Sequence, residues 1–483
     1  MKKIVNSLHI IIPTLLFILI FIHYYPQYLT YGDEGEYLHT TYLLSEGISP
    51  KVTDPLLSHK FATNYEIFYP QYLPGTSIIL LPFAMVGWKL IFMSGLLLHL
   101  FNFFLMARIL RIFNYKTYFA LLYLFFPGIV FFSRTIMSEL GSITLILIGF
   151  YFYIKNSETR NIILAGLFFG LACWIRYTNG VVFGGFFIAT FLKDWKKAFK
   201  LTIGFLIPII LLISYNYYLY GSSLIGYPAK QFTGSLGTNL YDRLSLIWKF
   251  ALPFMIIYPF MFFSPFIYRG KASLEILLSL IMTLGFYLII NAQIFHYDFI
   301  KNIVIGPRYF FILIPFMIIT YSHFLTKLEN IFGRVYKVGF SILIIFMILA
   351  VSVMSATHYN YTSESYNIMK DIYENTEEGS LIFGNTYVLM YVNGLFGDRK
   401  AIKIYPFLDR NDPNSRLQFI PHYSDKLNSY LVFIDNRESN DPLEKGRKIS
   451  GAQGEDHIIK YYNTELVYER LSPYHLKIYK VMP

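Results

Sequence analysis

Acidic residues concentrate between the first apolar stretch and residue 87. Six of the 13 acidic residues of positions 1–356 lie there, and the pair Asp33-Glu34 stands in Tyr31-Gly32-Asp33-Glu34-Gly35-Glu36-Tyr37, just beyond that stretch. A carboxylate beside lipid headgroups can accept the proton of an attacking hydroxyl while a lipid-borne substrate lies in the adjacent leaflet. A solvated acidic loop explains the same pattern, and the spacing alone weighs the two explanations equally.

Four basic residues adjoin the ends of apolar stretches on the same predicted side: Lys60, Arg134, Arg176 and Arg308. A charged side chain at that depth is costly unless it is paired. A phosphate is one such partner, because a guanidinium grips it by two parallel hydrogen bonds. A loop carboxylate, or extension of the side chain to the interface, is favoured for any single one of the four. Their common face is what favours a phosphate site.

Glu139 begins an apolar stretch on that same side, in Ser133-Arg134-Thr135-Ile136-Met137-Ser138-Glu139. An acidic residue in the first turn of a helix is favourable for structural reasons alone. It could equally be a second acid of the site that contains Asp33. The residues leave both roles open.

The elements that must position these side chains are membrane spans, because 55% of the 483 residues are hydrophobic and only 15% are charged. Hydropathy and loop charge together predict about eleven spans. They lie near 4–25, 88–107, 117–133, 138–154, 161–176, 178–192, 201–219, 249–267, 272–292, 309–326 and 338–356. With Lys2 and Lys3 in the cytoplasm, the basic clusters between the spans fall on that side. We predict a plasma-membrane protein whose N-terminus is cytoplasmic.

Two further segments are placed outside the cell membrane by this count. Residues 73–87 are too short to cross comfortably, so we expect a helix packed in or against the outer leaflet, within the extracytoplasmic loop 26–87. Residues 357–483 form a soluble α/β domain after the transmembrane domain 1–356. It begins with a helix at 363–376, and its short predicted strands are Leu381-Ile382-Phe383, Ala401–Tyr405, Tyr430–Ile434, Leu466–Tyr468 and Leu476–Val481.

Several classes of function are disfavoured. The net charge of +11 comes from the membrane part, where cytoplasmic loops collect Lys and Arg, and therefore indicates no nucleic-acid partner. The sequence contains no phosphate-binding P-loop, no dinucleotide fingerprint and no His-Glu-x-x-His zinc motif. Cys173 is the only cysteine, so no intramolecular disulfide can form. No metal ligands are assigned, although paired acids leave a divalent cation open.

The order of these features resembles the GT-C superfamily of glycosyltransferases, within it the branch of protein O-mannosyltransferases and aminoarabinose transferases. Five elements carry the resemblance: Asp33-Glu34; Tyr69-Pro70-Gln71-Tyr72-Leu73-Pro74-Gly75-Thr76; Arg134 to Glu139; Arg176-Tyr177-Thr178; and Gly306-Pro307-Arg308-Tyr309. Each element consists of common residue types. Their order on one membrane face, across residues 1–326, is what carries the likeness.

The resemblance implies an inverting transfer of a monosaccharide from a polyprenyl-phosphate carrier to an acceptor hydroxyl on the extracytoplasmic face. Asp33 is then the general base, with Glu34 and Glu139 orienting the base or the acceptor. Lys60, Arg176, Arg308 and Tyr309 are the candidates to hold the donor phosphate. The chain lacks the Lys-Pro-Pro-Leu run of some relatives, which leaves the role of Lys60 weakest.

The sequence leaves the acceptor open between a protein, a lipid and a glycan. The absence of a Trp-Trp-Asp signature argues against an oligosaccharide donor. A flippase or transporter of lipid-linked sugars is the alternative function. It predicts charged residues in the middle of spans, whereas here the charges collect at their outer ends.

Overall fold

The computed structural model describes residues 2–51, 62–64, 67–70, 72–221, 240–289, 303–384, 391–403, 428–435, 459, 463–472 and 474–482. The chain divides into two compact units. The first comprises Met1–Tyr25, Leu73–Ile79 and Phe92–His358, and the second comprises Pro26–Tyr72, Leu80–Ile91 and Tyr359–Pro483. The acidic loop, grouped above with the membrane domain 1–356, thus belongs to the same unit as the C-terminal residues.

Helices make up most of the described chain outside the C-terminal sheet. In chain order they are Lys2–His23, Gly32–Ser45, Gly75–Ala84, Ile91–Ile112, Leu121–Leu124, Pro127–Ser133, Ser138–Lys155, Thr159–Cys173, Asn179–Lys193, Trp195–Tyr220, Leu240–Ile257, Ser264–Ile267, Ser273–Ile289 and Ile314–Glu374. Short 3-10 turns lie at Trp88–Leu90, Thr117–Ala120, Met261–Phe263 and Arg308–Leu313. The predicted helix within 73–87 is present as Gly75–Ala84.

Four of the described helices are long and apolar enough to cross a membrane: Trp88–Ile112, Ser138–Lys155, Trp195–Leu219 and Arg308–Glu374. A pair bent by 118°, Ile247–Ile257 with Met261–Ile267, makes a fifth if it counts as one span. Five shorter apolar helices accompany them. The prediction of a multi-pass membrane protein is thereby confirmed, while the count of about eleven spans and the sidedness of the loops stay predictions.

The stretch 117–133, predicted as one span, is broken into a 3-10 turn and two short helices. Phe126 is extended, with ψ of 115°, and Pro127 begins the helix Pro127–Ser133. Proline favours the first helical turn and pushes the residue before it out of the helical region, so Phe126-Pro127 fixes the break.

A second departure joins elements that the sequence analysis kept apart. The predicted spans 309–326 and 338–356 and the predicted helix 363–376 are parts of one 61-residue helix, Ile314–Glu374. Its one non-helical residue is Gly333, with φ of 51° and ψ of −112°. Glycine tolerates this left-handed region without a steric penalty, so Gly333 can kink the helix without ending it.

The second unit contains the predicted sheet. Its strands are β1 Ala62–Asn64, β2 Ile67–Tyr69, β3 Leu381–Gly384, β4 Lys400–Lys403, β5 Ser429–Asp435, β6 Thr464–Arg470 and β7 His475–Val481. β1 and β2 form an antiparallel hairpin, and the other five form one sheet in the order β4-β3-β5-β7-β6. β3 is parallel to β4 and β5, whereas β7 is antiparallel to β5 and β6. The small C-terminal α/β fold is therefore confirmed.

The core of this sheet contains apolar side chains of the long helix and of β3, β5 and β7. Ile368 and Ile372 of the helix pack with Ile382, Val432 and Ile478 of the strands. The alternation of buried residues along β7 follows the two-residue period of a strand with one buried face. Burial of this face against the end of the helix explains why the unit forms around residues 359–374.

Candidate active site

The first unit brings Glu139 and Arg176 together. Glu139 lies in the first turn of the helix Ser138–Lys155, and Arg176 lies in the turn between the helices Thr159–Cys173 and Asn179–Lys193. The Arg176 Nη2 atom donates to Glu139 Oε1 at 2.7 Å, and its Nε atom donates to Ser138 Oγ at 2.6 Å. The two groups of one guanidinium thus bind two consecutive side chains, which fixes its orientation.

Arg308 approaches the same carboxylate. It begins the 3-10 turn Arg308–Leu313, and its Nε atom lies 3.8 Å from Glu139 Oε1, an electrostatic rather than a hydrogen-bonding distance. The side chains of Arg176 and Arg308 retain 19% and 14% of their exposed area, whereas that of Glu139 retains 1%. The acid is therefore enclosed, and both cations reach the surface of the unit.

Tyr309 provides an aromatic wall for the two cations. The guanidinium carbon of Arg308 lies 5.2 Å from the centre of the Tyr309 ring, and that of Arg176 lies 5.8 Å from it. Both distances fall within the range of cation–π attraction. Tyr309 in turn stacks on Tyr287, with ring centres 5.0 Å apart. Three of the predicted donor-phosphate residues therefore share one surface with Glu139.

Two glycines let the backbone segments that carry these arginines approach their neighbours closely. The Gly75 N–H donates to the Trp174 carbonyl at 3.0 Å, and a Cβ at Gly75 would lie 2.6 Å from that oxygen. A Cβ at Gly128 would lie 2.3 Å from Phe311 Cζ, in the turn that begins with Arg308. Larger residues at either glycine must displace a segment that holds an arginine.

The charge of this group is unbalanced. In the described part of the chain, two guanidinium groups lie within 4 Å of one carboxylate oxygen, and the other oxygen, Glu139 Oε2, is buried without a hydrogen-bond donor. Native proteins satisfy most buried polar atoms, so an exception calls for a ligand or a water. One net positive charge beside an open acceptor oxygen suits a phosphate ester that carries a hydroxyl-bearing group.

The second unit holds the two acids of the loop, in the helix Gly32–Ser45. The Tyr72 hydroxyl donates to Asp33 Oδ1 at 2.8 Å. Burial first, and then the charge of Asp33, raise the pKa of Tyr72, so the phenol remains a donor. Asp33 is half-buried, and a carboxylate held by one phenol is oriented while it retains capacity to accept a proton.

Glu34 has a different environment. It is fully buried, and its Oε1 atom accepts hydrogen bonds from the backbone N–H groups of Thr30 and Tyr31, both at 2.8 Å. This is the arrangement by which an acid in the first turn caps a helix. Glu34 therefore positions the helix that carries Asp33, and its role in orienting an acceptor stays a prediction.

The remaining two basic candidates of the sequence analysis are not part of this group. Lys60 lies outside the described residues. Arg134 is fully buried, and it donates to the carbonyl groups of Tyr24 and Ser355 and to His358 Nδ1. Arg134 thus ties the end of the first helix to the long helix.

Sequence reasoning missed the partners that orient the candidates. Ser138 binds Arg176, Tyr72 binds Asp33, and Tyr287 supports Tyr309. Ser138 and Tyr72 stand inside the stretches that carry the resemblance, which was the available signal; Tyr287 has none. Among the described residues, no group of three or more His, Cys, Asp or Glu side chains is placed to hold a metal ion.

Comparison with known proteins gives structural matches only. No family model matches the sequence, and no curated protein matches it. The structure is similar to that of ArnT, an aminoarabinose transferase, from Cupriavidus metallidurans in the apo state, with a TM-score of 0.60 and 11% sequence identity over 95% of this chain and 96% of that one. ArnT bound to undecaprenyl phosphate matches with a TM-score of 0.60 and 10% identity over 97% of each chain.

The third comparison is with an oligosaccharyltransferase from Archaeoglobus fulgidus, tethered to an acceptor peptide that contains the NVT sequon. The TM-score is 0.58 at 11% identity, over 98% of this chain and 73% of that one. Both proteins belong to the GT-C superfamily. The chain has the GT-C fold. The likeness expected from the order of the motifs is thus confirmed at the level of structure.

Proposed function

We propose that this GT-C-fold protein transfers a monosaccharide from a polyprenyl-phosphate carrier to a hydroxyl group of an acceptor on the extracytoplasmic face of the membrane. ArnT, which shares the fold, has been captured with undecaprenyl phosphate, and this likeness supports a carrier of that type. The observation that carries the proposal is the sharing of Glu139 Oε1 by Arg176 and Arg308. It leaves a positive charge where a phosphate ester would be bound.

In the proposed reaction, the oxygen of the acceptor hydroxyl attacks the anomeric carbon of the donor sugar. A new C–O bond forms as the bond from that carbon to the phosphate oxygen breaks. The phosphate leaves with the bonding electron pair and inverts the configuration of the sugar. Its growing negative charge is stabilised by Arg176 and Arg308, while Tyr309 restricts their movement.

Asp33 is proposed to receive the proton of the acceptor hydroxyl. The hydrogen bond from Tyr72 occupies only one of its oxygens in part, so capacity to accept a proton remains. Glu139 Oε2, which is buried without a donor, is proposed to accept a hydrogen bond from a hydroxyl of the donor sugar. The phosphate leaves as a stable anion, so no general acid is required.

The proposal is tested by transfer assays with purified protein. Radiolabelled polyprenyl-phosphate sugars would be incubated with a panel of protein, lipid and glycan acceptors, with Asp33→Asn and Arg308→Gln alongside the unaltered chain. We expect transfer by the unaltered protein and a loss of about 100-fold or more in each variant. Equal transfer by all three proteins would show that these residues are not the site.

The same assay separates binding from chemistry. Arg308→Gln should weaken binding of polyprenyl phosphate, because it removes a charge from the phosphate site. Asp33→Asn should leave that binding unchanged, since the base acts only on the acceptor. Movement of the labelled lipid across sealed vesicles without any transfer would instead favour the flippase.

A further inference from the structure

A second cluster of charge lies at the opposite end of the helices that lead to Arg176. The helix Thr159–Cys173 begins there and ends at the turn that holds Arg176, about 22 Å away at 1.5 Å per residue. Five lysines, here called the lysine patch, gather at this end: Lys193, Lys196, Lys197, Lys200 and Lys271.

Contacts between helix ends place these lysines side by side. Lys193 Nζ lies 2.8 Å from Glu275 Oε2. Lys271 Nζ donates to the Ile154 carbonyl at 2.8 Å, and Lys200 Nζ donates to Thr159 Oγ1 at 2.9 Å. Lys197 Nζ lies over the ring of Tyr153, 4.0 Å from its centre. Because Tyr153 also donates to Glu275, these contacts converge on a single buried carboxylate.

That carboxylate cannot neutralise the patch. Glu275 pairs with Lys193, and within the described ranges none of Lys196, Lys197, Lys200 and Lys271 has a carboxylate within ion-pair distance. Asp194 is close in sequence, but its Oδ1 atom accepts the backbone N–H of Lys197 at 3.1 Å and caps the helix Trp195–Tyr220. Four ammonium groups therefore share one surface without a protein anion.

The surface beside the lysine patch is apolar. Trp195 and Phe199 are 61% and 63% exposed, and farther along the same helix Leu206, Ile210 and Leu211 are exposed as well. A membrane-spanning helix exposes such side chains to lipid tails, and tryptophan favours the headgroup level. An amphiphile with an anionic head and apolar tails matches both surfaces at once.

We propose that the lysine patch binds an anionic phospholipid of the adjoining leaflet, with its headgroup phosphate on Lys196, Lys197, Lys200 and Lys271 and its acyl chains on the apolar side of the helix Trp195–Tyr220. Basic pockets between helices at one face of a membrane are suited to this class of lipid. The site is independent of the proposed transfer reaction and lies at the other end of the helices.

The test compares lipid binding by matched variants of the full chain. Purified protein would be titrated with short-chain phosphatidylglycerol and, separately, with phosphatidylcholine. The patch variant carries Lys→Gln at positions 196, 197, 200 and 271. The control variant removes four other exposed charges by Arg108→Gln, Arg111→Gln, Lys327→Gln and Arg334→Gln.

We expect the patch variant to bind phosphatidylglycerol about tenfold or more weakly, since each lysine near an anionic headgroup contributes about fivefold to affinity. The control variant should stay within about twofold of the unaltered chain, and phosphatidylcholine binding should not change. An equal loss in both variants would reduce the effect to overall charge and overturn the site. Full competition by inorganic phosphate would show a simple anion site instead.

The single variant Lys196→Gln guards against misfolding of the quadruple variant, because Lys196 is exposed and makes no ion pair in the described part of the chain. It should lower phosphatidylglycerol affinity about fivefold with an unchanged melting temperature. Unchanged affinity in this variant would contradict the proposal.

Discussion

Glu139 and Glu275 are both buried acids in the first turn of a helix in the membrane unit, yet their surroundings differ. Both oxygens of Glu275 are satisfied: Oε2 pairs with Lys193 at 2.8 Å and Oε1 accepts from the Tyr153 hydroxyl at 2.8 Å. Only Oε1 of Glu139 has partners, and they are two arginines. One acid is complete and neutral, whereas the other has surplus charge and an open oxygen.

A third buried acid supports this distinction. Glu329 pairs with Lys116 through Oε1 at 2.6 Å and accepts from the Tyr118 hydroxyl through Oε2 at 2.9 Å, the same combination of lysine and tyrosine as at Glu275. A satisfied buried acid fixes how helices pack, but it has no remaining capacity for a ligand. The incomplete environment of Glu139 is therefore what distinguishes a site of chemistry from a structural tie.

The largest expected effect comes from removing the surplus charge. The double variant Arg176→Gln/Arg308→Gln should reduce sugar transfer by about 1,000-fold, because no cation would then stabilise the leaving phosphate. Initial rates with saturating acceptor would measure this loss. Lys193→Gln, which alters the complete pair, should keep the rate per folded molecule within about twofold. A comparable loss in Lys193→Gln would erase the contrast between the two acids.

A pair of isosteric changes separates function from stability. Glu139→Gln should lower transfer by about 100-fold with little change in thermal unfolding, because its Oε2 atom has no donor to lose. Glu275→Gln should instead lower stability by about 2 kcal/mol and leave the rate of the folded fraction unchanged. Unfolding in detergent and transfer rates would be measured on the same preparations. The opposite assignment of the two effects would contradict the comparison.

A smaller effect is expected where the backbone positions Arg176. Gly75→Ala places a methyl group against the Trp174 carbonyl and should lower transfer about tenfold by shifting the turn that follows. The matched change Gly285→Ala meets no atom within 4 Å and should have no effect on the rate. Steady-state kinetics of both variants would decide the point, and equal rates for both would show that the close approach at Gly75 does not position the site.

The smallest effect concerns the second unit. Tyr72→Phe removes the hydrogen bond to Asp33 and should slow transfer about fivefold to tenfold. Because the pKa of Tyr72 is raised, the phenol stays neutral at pH 10, where an ordinary tyrosine is half ionised. The unaltered enzyme should therefore show no loss of rate near pH 10 from this group. An alkaline loss that disappears in Tyr72→Phe would contradict a raised pKa.

Much of the fold could be predicted because strong local signals mark its elements. The five C-terminal strands lie at the alternating apolar stretches between turn residues, and the helix Ser138–Lys155 differs from the predicted span by one residue. The helix Gly32–Ser45 was missed because its buried face includes Glu34, Glu36 and Thr41, which gives no apolar stripe. Burial of polar side chains is decided by distant partners and leaves no periodic signal.

The candidate site was predictable in its members but not in its geometry. Glu139, Arg176 and Arg308 were each singled out by residue type and by position at the end of a span. Their convergence on one carboxylate oxygen depends on how separate helices pack, which sequence spacing does not encode. The pairing of Glu275 with Lys193 and Tyr153 was not predicted at all, because nothing local separates a satisfied acid from an open one.

The most direct test of the contrast is an experimental structure of the protein with polyprenyl phosphate bound. We predict phosphate oxygens within about 3 Å of the guanidinium groups of both Arg176 and Arg308, with Glu275 and Glu329 still paired as described. A phosphate bound elsewhere, with both arginines still directed at Glu139, would contradict the account.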